Sequence, residues 1–192
     1  MRRGREQFSK YKKYILLLSK FYKALPLKVR IYLFERHRNT LGKLGMGLRY
    51  ALLKAISNEC GDNVAIYPGA YILNPQFLCV GTNVSIHPMC YLECGKKAGD
   101  ITIKNDVSIA HGTTIMSTSH TFKEKIINIK EQEIISSPIL IESNVWIGAK
   151  VTILSGVTIG SGCVIGANSV VNKNTESNGV YVGAPARRVK SR

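Results

Sequence analysis

The sequence predicts a mainly β fold in which short strands wind into a triangular prism, preceded by a basic helical segment and interrupted by one protruding loop. Three observations predict it. An aliphatic residue returns every six positions over most of the chain, the repeat breaks over one long polar stretch, and positive charge is concentrated near the N-terminus. A length of 192 residues suits one domain with a small appendage.

Composition excludes several classes of protein. The chain is 45% hydrophobic, enough to bury an ordinary core, so it is not a wholly disordered chain. The longest apolar run near the N-terminus, Tyr14 to Leu18, is far shorter than the roughly 20 residues that cross a bilayer. It is also shorter than the about 7–15 apolar residues of a secretory signal. We therefore expect a cytoplasmic protein.

The cysteines indicate reduced thiols. They are odd in number and form no C-x-x-C pair: Cys60, Cys79, Cys90, Cys94 and Cys163. Cys90 and Cys94 have a spacing that suits two metal ligands, but nothing near them in sequence completes a ligand set. No metal is expected.

Residues 1–58 are predicted to form a basic helical segment. Positions 1–55 hold 15 lysines and arginines against two acidic residues, whereas the rest of the chain holds 12 against 10. Apolar residues recur at the helical period of three and four: Tyr11, Tyr14, Ile15, Leu18, Phe21, Tyr22 and Leu25. Pro26 ends this helix, and Gly42, Gly45 and Gly47 indicate a flexible connection before Leu48–Ile56. We expect two or three short helices.

The sequence leaves two alternatives for what the apolar face of this basic segment contacts. Lysines and arginines interleave with the apolar stripe, which is typical of a helix lying on an anionic membrane surface and would place the protein at the inner membrane face. In the alternative, the apolar face packs against the main domain and the charges are solvated. No nucleic-acid-binding motif accompanies the charge, so no nucleic acid is expected as a partner.

Residues 59–176 are predicted to form the prism. The aliphatic positions in phase are Cys60, Ile66, Ile72, Val80, Ile86, Leu92, Ile103, Ile109, Ile115, Ile141, Ile147, Ile153, Ile159, Ile165 and Val171. A period of six suits short strands with tight turns, three of which close one coil, and coils stack about 4.8 Å apart. The repeat breaks at 118–138, where the polar stretch Thr118–Ser137 predicts a loop leaving the prism. Residues 177–192 are predicted to form a basic tail.

Two stretches resemble a known family. "VWIGAKVTILSGVTIGSGCVIGANSVV" followed by "GAPARRV" is similar to the hexapeptide-repeat acyltransferases, and the resemblance covers roughly residues 59–190. It implies a left-handed parallel β-helix, a homotrimer, and an activity similar to that of bacterial sugar and polysaccharide O-acetyltransferases. A metal-dependent carbonic anhydrase of the same fold and a non-catalytic scaffold are the alternatives. The former requires an H-x-x-x-x-H pair, whereas His111 and His120 are nine residues apart.

The histidines are the candidates for acid–base chemistry. His120 stands in "STSHTF", where the family has its catalytic base. Imidazole titrates near pH 6.5, so its neutral form accepts a proton from a hydroxyl at cytoplasmic pH. His87 and His111 are candidates for contact with the acceptor, with a surface position as the alternative for both. His37 belongs to the basic segment, and no motif around it indicates a function.

The resemblance also implies where acetyl-coenzyme A binds. It indicates a groove between neighbouring prisms, lined by Trp146, Ala149, Ala167, Asn172, Lys173, Arg187 and Lys190. The 3′-phosphate and diphosphate of coenzyme A require cations, which Lys173, Arg187, Arg188 and Lys190 provide. A backbone N–H near Ala149 or Ala167 is placed to polarise the thioester oxygen.

The acceptor is predicted only as a class. Maltose and galactoside O-acetyltransferases of the family have an asparagine-bearing motif where this chain has "SIHPMCYLE". This difference and the basic segment favour an anionic or lipid-linked glycan, such as a surface-polysaccharide precursor, over a free sugar.

Overall fold

The computed structural model describes residues 2–96 and 100–192. Three helices come first: α1 (Arg2–Lys23), α2 (Leu27–Arg36) and α3 (Gly42–Ile56). The expectation of a flexible connection at Gly42–Gly47 was wrong, because α3 begins at Gly42 and runs through all three glycines. Gly45 packs so closely on the preceding turn that a Cβ atom there would lie 2.0 Å from the Thr40 carbonyl oxygen. The glycine reflects close packing and not flexibility.

The helices cover one end of the prism. Arg49 of α3 is buried and donates hydrogen bonds to the carbonyl oxygens of Ile66 at 2.9 Å and Thr40 at 2.7 Å. Along α1, the Phe8 ring meets the Tyr50 ring edge-on at 5.6 Å. Among the described residues, no helix is both long and apolar enough to span a membrane.

Within the described ranges, nineteen strands follow, and most have two or three residues. They are β1 (Glu59–Cys60), β2 (Ala65–Ile66), β3 (Tyr71–Leu73), β4 (Leu78–Val80), β5 (Ser85–Ile86), β6 (Tyr91–Glu93), β7 (Ile101–Ile103), β8 (Ser108–Ile109), β9 (Thr114–Met116), β10 (Thr118–His120), β11 (Ile134–Ser136), β12 (Ile139–Ile141), β13 (Trp146–Ile147), β14 (Thr152–Ile153), β15 (Thr158–Ile159), β16 (Val164–Ile165), β17 (Val170–Val171), β18 (Gly179–Val182) and β19 (Arg187–Ser191). Short 3₁₀ helices lie at Pro75–Phe77 and Ile129–Glu131.

Seventeen of these strands form three sheets, which are the faces of the prism and are parallel apart from β19. The first sheet has the order β1-β4-β7-β12-β15, the second β19-β18-β16-β13-β8-β5-β2, and the third β17-β14-β9-β6-β3. β18 continues the second sheet in parallel, and β19 turns back antiparallel to it. Every predicted hexad position except Cys60 is buried, which confirms the predicted prism and its aliphatic interior.

The coils differ in length at one edge only. Along the first sheet, Val80 pairs with Cys60 and with Ile103, and Ile141 pairs with Ile103 and with Ile159. Only the last of these steps, from Ile141 to Ile159, equals three hexads, and the others are longer. Every extra residue lies where the chain passes from the third sheet to the first, in the segments 74–77, 94–100 and 117–138. We call this border the insertion edge. The predicted protruding loop is confirmed there as an antiparallel ribbon of β10 and β11.

Candidate functional site

His120 ends strand β10 on the ribbon that leaves the insertion edge. It lies opposite Ile134 of β11, and the next amide, that of Thr121, donates to the Glu133 carbonyl oxygen at 2.9 Å. The residue is exposed, and within the described part of the chain its imidazole has no hydrogen-bonding partner. The chain therefore presents the ring to solvent on a paired strand without orienting it.

Hydrogen bonds tie the first strand of the ribbon to the prism. The Glu93 carboxylate on β6 accepts from the Thr118 hydroxyl and from the Tyr91 hydroxyl, the latter at 3.2 Å. Buried Ser117 donates its hydroxyl to the Glu93 carbonyl oxygen at 3.0 Å and accepts from the Gly95 amide at 2.9 Å. Glu93 thus holds the strand two residues before His120.

The second strand of the ribbon is held by Gly95 and Asp100, which follow β6 in the chain. The Ser136 hydroxyl donates to the buried Asp100 carboxylate at 3.0 Å. A Cβ at Gly95 would lie 2.2 Å from the Ser136 Oγ, so this contact requires glycine. Sequence reasoning missed Glu93, Ser117 and Asp100, although a carboxylate directly after the inward-facing Leu92 was a usable signal.

His87 and His111 lie on the opposite border of the third sheet, where the chain arrives from the second sheet. We call this border the histidine edge; its turns are 67–70, 87–90, 110–113, 148–151 and 166–169. The His87 ring stacks on the Tyr67 ring at 4.6 Å. Burial, together with repulsion from the neighbouring His111, holds the pKa of His87 below 6.5. His111 is exposed.

The structure therefore brings His87 and His111 together but not with His120. Strands β9 and β10 lie between them in sequence, and at about 3.3 Å per extended residue the nine residues from His111 to His120 span roughly 30 Å of chain.

Three of the residues predicted to line the acetyl-coenzyme A groove, Trp146, Ala149 and Ala167, lie on the second sheet and the histidine edge. Trp146 is 56% exposed on the outer face of β13. Ala149 and Ala167 occupy equivalent turn positions one coil apart, since the Asn168 amide donates to the Ala149 carbonyl oxygen at 2.9 Å. Ala149 is two coils beyond His87 and one beyond His111 along the same edge. The small side chains of the two alanines leave this part of the edge open.

The predicted phosphate-binding residues lie at the last coil. A cleft of about 280 Å³ is lined by Val171, Lys173, Asn174, Thr175, Tyr181, Ala186, Arg187 and Arg188. Arg188 is partly neutralised by Glu176 at 2.8 Å. Asn172 adjoins the cleft without lining it, and Lys190 lies on β19 opposite Val180, outside it. The cations around the cleft fit a phosphorylated nucleotide such as that of coenzyme A.

All five cysteines are free, and burial raises the pKa of the Cys94 thiol to about 12. No three histidine, cysteine or acidic side chains among the described residues lie close enough to hold a metal ion.

Comparisons with known proteins agree with this architecture. The bacterial transferase hexapeptide family (six repeats) matches residues 138–173. A hexapeptide-repeat acetyltransferase of Vibrio cholerae matches with a TM-score of 0.74 at 28% identity, over 85% of this chain and 89% of its own, and a second structure of it is a complex with acetyl coenzyme A. Comparison with curated proteins finds no match.

Two sugar acetyltransferases are also similar. A maltose O-acetyltransferase from Clostridium difficile has a TM-score of 0.74 at 28% identity, covering 85% of this chain and 84% of its own. A galactoside acetyltransferase in complex with coenzyme A has a TM-score of 0.64 at 29% identity, covering 88% of this chain and 80% of its own. The chain thus has the repeat and the fold of hexapeptide-repeat acetyltransferases, which confirms the resemblance predicted from its sequence.

Proposed function

We propose, on the premise of this repeat and fold, that the protein is an O-acetyltransferase that moves an acetyl group from acetyl-coenzyme A to a hydroxyl of a sugar or surface-polysaccharide precursor, without a metal. The observation that carries the proposal is an exposed histidine, His120, held on a strand that Glu93 and Ser117 anchor to the rigid prism. The acetyltransferase structures that the chain resembles support it.

The chemistry assigns one role to each group. Neutral His120 takes the proton of the acceptor hydroxyl while the hydroxyl oxygen attacks the thioester carbonyl carbon. A backbone N–H near Ala149 or Ala167 stabilises the negative charge that develops on the carbonyl oxygen. The carbon–sulfur bond then breaks, and the imidazolium returns its proton to the departing sulfur. The ester of the acceptor and free coenzyme A are the products.

This chemistry requires more than one subunit. His120 lies on the insertion edge. Ala149, Ala167, His87 and His111 lie on the histidine edge. A closed ring of three prisms puts each insertion edge against the next histidine edge, so we propose a homotrimer with three shared sites. Light scattering that gives a stable monomer under assay conditions would contradict both the trimer and the shared site.

The acceptor class follows from charge. Positions 1–55 carry 15 basic against two acidic residues, which favours an anionic or lipid-linked glycan over a neutral free sugar. We place the reaction in the cytoplasm, at the inner face of the membrane.

Thiol release tests the proposal directly. Purified protein is mixed with acetyl-coenzyme A and a panel of glycans, neutral and anionic, with and without a chelator. We expect glycan-dependent release of thiol that the chelator does not change. Activity abolished by the chelator would favour the metal-dependent alternative, and failure to bind coenzyme A would favour a non-catalytic scaffold.

A further inference from the structure

Helix α1 has two apolar faces, and the structure covers only one of them. Phe8, Ile15 and Tyr22 lie on the face that packs against the rest of the protein. Tyr14, Leu17 and Phe21 lie on the other face and are 72%, 67% and 62% exposed. Their spacing of three and four residues lines them up along one side of the helix. We call these three residues the α1 stripe.

Positive charge surrounds the α1 stripe. Lys10, Lys13 and Lys20 are exposed on the same helix, and Lys20 lines a shallow groove together with the α1 stripe and Leu18. Lys12, by contrast, points toward the prism and pairs with Asp62 at 2.6 Å. The exposed side of the helix therefore combines large apolar side chains with solvent-facing lysines.

We infer that the α1 stripe binds the surface of an anionic lipid bilayer, with α1 lying in the plane of the membrane. An exposed apolar face flanked by lysines is the combination that anionic lipid surfaces bind, since tails take up the side chains and headgroups attract the charge. A second copy of this chain is the less favourable occupant, because it would bring another segment with 15 basic and two acidic residues against the first.

The placement of α1 leaves the proposed active site clear. The helices cover the first coil, and the cleft with Lys173 and Arg187 lies at the last. Five coils about 4.8 Å apart separate the two ends by roughly 20 Å. Membrane binding is inferred from α1 alone, so it stands or falls independently of acetyl transfer.

Vesicle co-sedimentation of the full chain tests the inference. The probes are vesicles of phosphatidylcholine mixed with phosphatidylglycerol, which are anionic, and vesicles of phosphatidylcholine alone. We expect binding to the anionic vesicles that weakens with salt. The pair Leu17→Ser and Phe21→Ser should weaken it roughly tenfold or more, and Lys10→Gln with Lys13→Gln and Lys20→Gln roughly 100-fold.

Matched variants elsewhere on the prism and its ribbon serve as controls. Lys104→Gln with Lys123→Gln and Lys125→Gln removes the same charge, and Phe122→Ser with Ile126→Ser removes exposed apolar side chains, so both sets should bind as the wild type does. Equal binding by the α1 stripe variants, or no binding to anionic vesicles, would overturn the inference. A fall in mass by light scattering for Leu17→Ser with Phe21→Ser would assign the α1 stripe to contact between copies and would overturn it as well.

Discussion

Two neighbouring coils of the prism show how the molecule separates stability from chemistry. The coil from Ile141 to Ile159 consists of three hexads with nothing added. The coil from Ile103 to Ile141 is more than twice as long, and the additional residues form the ribbon that carries His120. Both coils bury their inward residues completely. The interior therefore depends on the hexads, and the insertion changes only the edge.

The largest expected effect is the loss of kcat when His120 on the ribbon is replaced. His120→Ala should lower kcat by roughly 10²–10⁴-fold and leave both acetyl-coenzyme A affinity and thermal stability unchanged, because proton abstraction occurs only in the transition state. Steady-state kinetics and donor titration measure it. His111→Ala is the control and should have at most a modest effect. Full activity of His120→Ala beside an inactive His111→Ala or His87→Ala would place the base on the histidine edge instead.

A substitution in the interior of the regular coil from Ile141 to Ile159 should instead lower the stability of the fold. Ile153 is 0% exposed, and Ile153→Ala should cost about 2–5 kcal/mol of unfolding free energy through lost burial and a cavity. Denaturant unfolding at fixed protein concentration measures it. Ile126 on the ribbon is 100% exposed, so Ile126→Ala should change stability by less than about 0.5 kcal/mol. Equal losses of unfolding free energy in the two variants would contradict the conclusion that stability depends on the hexads and not on the ribbon.

The cleft at the last coil distinguishes two lysines that sequence reasoning treated alike. Lys173 lines the cleft and Lys190 does not. Lys173→Ala should raise the KM for acetyl-coenzyme A roughly tenfold with little change in kcat, since it removes one charged phosphate contact. Lys190→Ala should raise KM less. The reverse order, measured by varying the donor, would locate the nucleotide on β19 outside the cleft.

Glu93 tests how the ribbon is positioned. Glu93→Ala removes the acceptor for the Thr118 hydroxyl and should lower kcat roughly tenfold at unchanged KM, because a small displacement of His120 misaligns proton transfer. Glu93→Gln keeps an oxygen acceptor and should restore most of kcat. A shift in KM alone, or no recovery with glutamine, would argue against a positioning role.

The smallest effect concerns pH and the histidine edge. The folded state lowers the pKa of His87 below its usual 6.5, so the unfolded chain binds more protons as pH falls through 6.5, and stability falls with it. His87→Phe keeps an aromatic ring against Tyr67 and removes this titration. Denaturant unfolding at pH 7.5 and pH 5.5 should show a smaller acid loss for the variant than for wild type. An identical loss would assign the pH dependence to other groups.

Features with local causes were predictable from the sequence. One aliphatic residue per hexad and a turn residue at each corner are enough to close a coil, so the buried positions and the break at 118–138 follow from spacing alone. The helical conformation of Gly42–Gly47 was not predictable, because glycine has a low helix propensity and the close approach of Gly45 to Thr40 exists only in the folded chain. Nor was the Glu93–Thr118 bond, which joins positions far apart in sequence. The resemblance predicts His120 as the base, but nothing in the sequence indicated what holds its strand.

The insertion edge accepts additional residues without disturbing the prism. Three additions of increasing length enter the chain at this border, and none changes the register of the three sheets. Closing a longer loop adds little entropic cost, about 0.6 kcal/mol for each doubling of length, when its two ends are already fixed by the ladder. A chain with another ribbon inserted between Ser117 and Ile139 should therefore keep the prism while presenting a different surface at this border.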